Sequence, residues 1–388
     1  MNQPKISIII PVHNDGEYLV RCLDSVVNQT LKEIEVICID DASTDSSFQI
    51  LNKYKETFPF IIIIKLNVNS SAFVARIEGV RKATGKYIMF LDGDDCLSSN
   101  ACKKLYAISE KKKVDILNFS SKVINAGATK NTIIQMNKRL VPFYGRLKGY
   151  EIMDFSYIYH VINWNLWNKI FTNEVCKKAI ENLDYGYFPK ANDLVFFFAI
   201  CSYAKSYLGL HTSPYYYYYY GAGSTGRKLI DLDNLERLAA KRNAAKYLQN
   251  YIEIRTINDE YRSIYQNLDT RFLDDVLSHW INHLPEDKLL EGYKIIRSYW
   301  DDDEIVNHII RNHSKTYKKI VDFLKSQESL SKYMTISNNS NTDHIQYSKK
   351  SCKKPLELLQ SKISKSLIII RKYGLHVFLG FLRYRINM

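Results

Sequence analysis

Long apolar runs, paired cysteines and late glycines are what this 388-residue chain lacks. No stretch approaches 18 uncharged apolar residues, so no membrane-spanning helix is expected. The seven cysteines (Cys22, Cys38, Cys96, Cys102, Cys176, Cys201 and Cys352) are odd in number, scattered and free of any CxxC pair. Neither a disulfide framework nor a zinc knuckle follows, and a reducing cytoplasm is the natural compartment. The start, "MNQPKISIIIPVHN", has no basic leader and no small-residue cleavage site, so no signal peptide is expected. Twelve of the 15 glycines and six of the eight prolines lie at or before Gly226. The first part is therefore turn-rich and mixed, while the second is poor in breakers and helical. Acidic residues are scarce at the far end. Residues 349–388 hold ten Lys/Arg against one acid, Glu357, which is +9 of the net +13. Such an asymmetry argues against a nucleic-acid-binding surface and for a local basic device.

What is present is a folding composition, 46% hydrophobic and 13% aromatic. Within the first 120 residues, "KISIIIPV", "IEVICIDD", "FIIIIKL", "KYIMFLD" and "VDILNFSS" read as strands. Such continuous apolar runs suit a sheet covered on both faces. Leu19, Cys22, Leu23, Val26 and Val27 follow helical spacing, with Asn14 or Asp15 as the expected N-cap. "STDSS" offers caps to a second helix carrying Phe48, Leu51 and Tyr54. Alternation of strand and helix implies a largely parallel sheet, whose ligands sit beyond the carboxyl ends of the strands. Asp40-Asp41 and Asp92 to Asp95 both fall at such ends, placing two acidic clusters on one rim.

Asp92, Asp94 and Asp95 in "FLDGDDCLSS" repel one another unless something compensates them. Three readings fit the spacing: a hard divalent cation held by oxygen ligands, a shared proton, or a solvated turn capping the next helix. The neighbouring motifs favour the first. "SIIIPVHN" with Glu17 beyond it, "CIDDASTDSS", "ARIEGVRKATGKYIMFLDGDD" and "WNKIFTNE" occur in order. Together they resemble the family 2 inverting glycosyltransferases of GT-A fold, of the bacterial capsule and lipooligosaccharide type. The likeness is specific over residues 4 to about 120, looser from about 160 to 227, and stops there.

The resemblance implies an α/β GT-A domain over 1–227, Rossmann-like, with a mostly parallel sheet and flanking helices, followed by a helical region. Pro11, Val12, Asn14 and Glu17 would line the nucleotide pocket, with Asp41 accepting from the uracil ring and Asp40 beside it. Arg76 and Asp92 would approach the nucleotide diphosphate, and Asp92 and Asp94 would form the metal-binding Asp-X-Asp for Mg²⁺ or Mn²⁺. Asp193 stands where the family's catalytic base falls, with Asn192 in place of the usual Glu. Other departures are His13 for Tyr, Ser71 for Gly and Ile77 for Asn. Trp164, Trp167 and Lys169 would face a sugar or pack in the core. Tyr215 to Tyr220 would alternate faces of a strand, packing in core and rim. "GAGSTGR" would bring Ser224, Thr225 or Arg227 near the diphosphate. His211, His279 and His283 show no metal-ligand set.

Beyond 227, residues 228–325 read as a helical domain, 326–352 as a polar linker and 353–388 as a basic amphipathic tail. That tail would be drawn to the anionic cytoplasmic face of the inner membrane, where lipid-linked acceptors lie. The expected partners are a nucleotide sugar, UDP-linked, and a glycan or lipid-linked glycan acceptor, with no nucleic acid. Two alternatives stand beside this. A nucleotidyltransferase would carry a Gly-rich basic loop after its first strand, which "PVHNDGEYL" does not. A non-catalytic membrane-peripheral assembly protein retaining the fold is suggested by Asn192 and by the unmatched helical third.

Overall fold

The computed structural model describes residues 3–125, 127, 129–221, 231–255, 257 and 261–311. They fall into two compact units, 3–221 and 231–311. The expected linker 326–352, the basic tail 353–388 and the loop residues Ser224, Thr225 and Arg227 lie outside the described residues.

In the first unit the five apolar runs form strands. These are β1 (Ile6–Val12), β2 (Ile34–Asp40), β3 (Ile61–Lys65), β4 (Tyr87–Phe90) and, after a two-residue β5 (Cys96–Leu97), β6 (Ile116–Asn118). β1 and β2 are buried along their whole length, which is why their sequences are continuously apolar instead of alternating. Helices α1 (Leu19–Val27), α2 (Ser47–Thr57), α3 (Ser71–Lys82) and α4 (Ala101–Lys112) alternate with them. Leu19, Cys22, Leu23 and Val26, the helical stripe read from the sequence, are the buried face of α1.

Further along come β7 (Ser121–Asn125), α5 (Lys130–Arg139), β8 (Gly145–Lys148) and α6 (Tyr150–Met153). They are followed by β9 (Lys169–Thr172), α7 (Asn173–Ile180), α8 (Asn192–Tyr203), β10 (Ser206–Gly209) and β11 (Tyr216–Tyr220). Eight strands make the main sheet, in the order β3-β2-β1-β4-β9-β6-β10-β8. β1 pairs in parallel with both β2 and β4, whereas β9 runs antiparallel between β4 and β6. A small second sheet, β5-β11-β7, stands beside the acidic turn. α3 lies close on β1 because Gly79 faces Ile9: a Cβ there would come within 2.4 Å of the Ile9 side chain. That close approach fixes the height of Arg76, three residues earlier on the helix.

The second unit is helical: α9 (Leu232–Ala239), α10 (Lys241–Ile254), α11 (Arg262–His283), α12 (Leu289–Tyr299) and α13 (Asp302–Arg311). Its core holds Leu248, Leu268, Leu277, Ile296 and the fully buried Trp280 and Trp300. Arg242 ties it together, meeting Asp269 at 3.2 Å, pairing with Glu304 and lying 5.1 Å from the Trp300 ring centre. Among the described residues no helix is long and apolar enough to cross a membrane.

Candidate active site

The carboxyl ends of β1 and β2 carry loops that are laced together by short polar contacts. The Asp41 amide donates to the Val12 carbonyl at 2.8 Å, and Asp41 Oδ1 accepts from the Ser70 amide at 2.7 Å. His13 Nδ1 lies 2.7 Å from the Asp41 carbonyl. Asn14 adopts a left-handed backbone (φ 56°), and its Oδ1 accepts from the Thr44 amide at 2.8 Å. Asn14 therefore bridges the two loops and does not cap α1. Nor does the Asp15 side chain. Its backbone carbonyl accepts from the Tyr18 and Leu19 amides, while its carboxylate turns back to the His13 amide at 3.0 Å. The Asn14 oxygen is taken by a loop-to-loop bond that only the tertiary fold creates, and the Asp15 carboxylate by a bond within its own loop.

Other nucleotide-pocket candidates are placed unevenly. Pro11 and Val12 are buried strand residues, and Val12 serves the site through its carbonyl. Glu17 is exposed. Asp40 is fully buried, with no hydrogen-bond partner for either carboxylate oxygen among the described residues. It does not cap α2, because Asp45 Oδ1 takes the Ser47 amide at 2.9 Å.

The acidic turn after β4 is held from three sides. Asp95 is buried, accepting from the Tyr216 hydroxyl at 2.6 Å and the Tyr219 amide at 2.7 Å. It is thereby an anchor between the turn and β11. Arg21 donates to the Asp94 carbonyl at 2.6 Å and stacks 3.6 Å from the Tyr219 ring centre. Asp15 closes the third side, beside Gly93. A Cβ at position 93 would lie 2.7 Å from Asp15 Oδ2, so a larger residue would have to displace the Asp15 carboxylate. The Asp94 carboxyl is pushed up to about 7 by burial and by the charges of Asp92 and Asp15. Asp15 is likewise pushed up to about 7, by burial and then, against its His13 bond, by Asp92 and Asp45. Gly93→Ala should therefore destabilise the protein by about 1–3 kcal/mol, the usual cost of overpacking. Urea unfolding checks this, and an unchanged midpoint would show that the turn and Asp15 are not packed together in solution.

Arg76 gathers the remaining candidates. Its guanidinium is buried; Nη2 donates to Asp92 Oδ1 at 2.8 Å, while Nη1 donates to Asp193 Oδ1 at 2.8 Å and Asn192 Oδ1 at 2.6 Å. One cation thus links the acidic turn on β4 to the start of α8. Asp193 lies in the first turn of α8, where the helix dipole favours a carboxylate. Its carboxyl is nevertheless raised above the ordinary range, by burial first and by Asp92; Arg76, Lys169 and the Leu166 backbone amide oppose the rise. Asn192, where the resemblance implies a Glu, completes the guanidinium's bonding without adding a third negative charge.

The aromatic candidates resolve towards packing. Trp167 is buried and stacks on Tyr216 at 4.5 Å and on Tyr218 at 5.3 Å between ring centres. Trp164 stacks on Tyr157 at 5.9 Å. Lys169 is fully buried, so its ammonium faces protein carbonyls and not a sugar. His211 Nε2 lies 3.3 Å from the Pro142 carbonyl, an ordinary structural contact.

With this geometry in view, comparison with known proteins is informative. Residues 7–182 match the family model described as Glycosyl transferase family 2. The N-terminal unit is a family 2 glycosyltransferase domain. Its sheet, with β9 reversed beside the parallel strands, is the GT-A fold. Curated relatives include the poly(ribitol-phosphate) beta-glucosyltransferase of Bacillus spizizenii, 42% identical over 137 residues, or 34% of this chain and 22% of that protein. TarP of Staphylococcus aureus, a poly(ribitol-phosphate) beta-N-acetylglucosaminyltransferase, is 37% identical over 117 residues, 29% of this chain and 35% of that one. Among solved structures, S. aureus TarS 1–349 in complex with UDP-GlcNAc aligns with a TM-score of 0.48 at 20% identity, covering 76% of this chain and 91% of that one. The chain spans about a fifth of the B. spizizenii relative and about a third of TarP.

The donor set of the glycosyltransferase domain fits a divalent ion in part. Among the described residues no group of three or more His, Cys, Asp or Glu is arranged to hold a metal. Asp92 and Asp94 lie in the turn with Asp15 beside them, and Asp94 is crowded enough by burial, Asp92 and Asp15 to resist ionisation. A hard cation relieves that crowding, and a pair of carboxylates sharing an ion with phosphate oxygens is the usual Mg²⁺ arrangement.

Proposed function

We propose that the chain transfers a sugar from a nucleotide sugar, UDP-linked, to a hydroxyl of a growing bacterial surface glycan, inverting the anomeric centre. The observation that carries this is the buried Arg76 guanidinium, bonded at once to Asp92 and Asp193. It brings the side that receives the leaving diphosphate and the side that receives the acceptor hydroxyl to one point. Asp193 takes the acceptor's proton as the hydroxyl oxygen attacks the anomeric carbon, and the bond to the diphosphate oxygen breaks on the opposite face. Asp92 and Asp94 would hold Mg²⁺ or Mn²⁺, which supplies Lewis-acid stabilisation to the diphosphate.

Asp41 accepts from the nucleobase, with Asn14, Glu17, Asp40 and the backbone of Pro11 and Val12 around it. The relatives named for poly(ribitol-phosphate) glycosylation support a surface polymer, or its lipid-linked precursor, as acceptor. The basic tail, outside the described residues, would bring the enzyme to the inner-membrane surface as a peripheral protein.

A thermal-shift screen with UDP, GDP, CMP and dTDP, each with and without Mn²⁺, tests the reading. UDP with Mn²⁺ should stabilise by about 2.7 kcal/mol at a hundredfold excess over Kd, and UDP-sugar turnover should vanish on chelation. Stabilisation by another nucleotide alone, or turnover that survives EDTA, would overturn the UDP or the metal assignment respectively.

A further inference from the structure

Lys169 is 0% exposed and forms no ion pair among the described residues. Its three ammonium hydrogens are met by three oxygens: the Asn163 carbonyl at 2.9 Å, the Asn165 carbonyl at 2.6 Å and Asn168 Oδ1 at 3.0 Å. A buried ammonium without a counter-ion is costly, and closing a loop around an amide would not require the charge. The surroundings give the charge a purpose.

The loop that Lys169 closes, residues 163–168, backs the start of α8. The Leu166 backbone amide is close enough to the Asp193 carboxyl to favour its ionised form. The Trp164 indole donates to the Ser156 carbonyl at 3.0 Å and stacks on Tyr157, whose hydroxyl donates to the carbonyl of Leu194 at 2.7 Å. Asn118 Nδ2 and the Phe119 amide grip the loop's far end at the Asn168 carbonyl, at 2.9 and 3.0 Å. The ammonium itself lies 4.9 Å from the Phe197 ring centre, one helical turn along α8 from Asp193 and on the same face.

We infer that Lys169 is a positioning residue for the base: it clamps residues 163–168 into the loop that orients Asp193 and sets a positive charge behind its carboxylate. The inference rests on Asp193 being the base, as proposed above. Burial lowers the Lys169 ammonium to about 7, against the opposing pull of Cys201 and Asp193, so it is charged in the acid range where Asp193 titrates. The groups facing Asp193 are Arg76 from α3, Asp92 from the acidic turn, Tyr157 and Lys169. Losing Lys169 leaves Arg76 as the one cation among them.

Lys169→Met and Lys169→Gln in the full chain test this, Gln retaining two of the donors should Met fold poorly. Both should lower kcat by roughly 10- to 100-fold with the KM for UDP-sugar within about threefold. The acid limb of kcat/KM should move to higher pH, because a cation that lowers the Asp193 carboxyl is gone. A ¹³C-carboxyl NMR titration, with Asp193 assigned by its absence in Asp193→Asn, reads the same upward shift without turnover. An inactive wild-type protein would defeat the proposed function and leave the NMR arm to decide on Lys169. An Asp193 midpoint unmoved in both variants would overturn the inference, as would unchanged kcat.

Discussion

Replacing Asp193 by Asn should abolish sugar transfer, by roughly 10²- to 10⁴-fold in kcat, while leaving nucleotide binding within about threefold. The isosteric amide keeps the helix start and one acceptor for Arg76, which donates to Asp193 Oδ1 at 2.8 Å. What is lost is the lone pair that, in the proposed reaction, receives the acceptor's proton. The wild-type pH profile carries a second mark of the same group. Burial raises the Asp193 carboxyl above its ordinary value, and Asp92 adds to this; Arg76 and Lys169 counter it without cancelling it. A raised carboxyl takes up its proton earlier as pH falls, so activity should disappear on an acid limb above the usual Asp range near 4. An acid limb at the ordinary value, or turnover surviving in Asp193→Asn, would remove the residue from the base role. Isothermal titration with UDP separates a catalytic defect from a binding one.

How this site came to be legible is a matter of which contacts are local. The strands were readable because β1 and β2 are buried on both faces, which forces unbroken apolar runs that no surface strand would carry. The placement of Asp41, Asp92 and Asp94 was readable because strand ends in a parallel sheet share a rim. Asp15 was misread as a helix cap. Its membership of the acidic cluster depends on β1 lying beside β4, a pairing that sequence periodicity does not encode. Asp95 shows the same limit, since its partners Tyr216 and Tyr219 lie more than 120 residues away. Lys169 was left open between a sugar contact and core packing for a different reason. A lysine beside two tryptophans suits either, and sequence does not show the three oxygens that make full burial of an ammonium tolerable. The reversed β9 was also invisible: its run "KIFT" is too short to announce a direction.

Removing Arg76 should be strongly destabilising, because it strands two carboxylates at once. Arg76→Met keeps the side-chain volume and the fit of α3 against β1, yet leaves Asp92 and Asp193 facing each other's charge across the gap. Breaking one side of a buried ion arrangement costs about 3–5 kcal/mol, and the partial exposure of both carboxylates, 28% and 27%, places the expected loss near the lower figure, about 3 kcal/mol. The urea midpoint should fall with the slope unchanged. Adding Asp193→Asn to Arg76→Met should then restore part of the loss, since one of the two stranded charges is gone. Such non-additivity is the signature of a shared contact and separates it from a general packing defect. Mn²⁺ with UDP should also narrow the deficit if Asp92 receives the ion, whereas a packing defect would persist unchanged. Additive losses in the double variant would mean that the guanidinium does not join the two carboxylates in solution, and the coupling on which the proposed reaction depends would be absent.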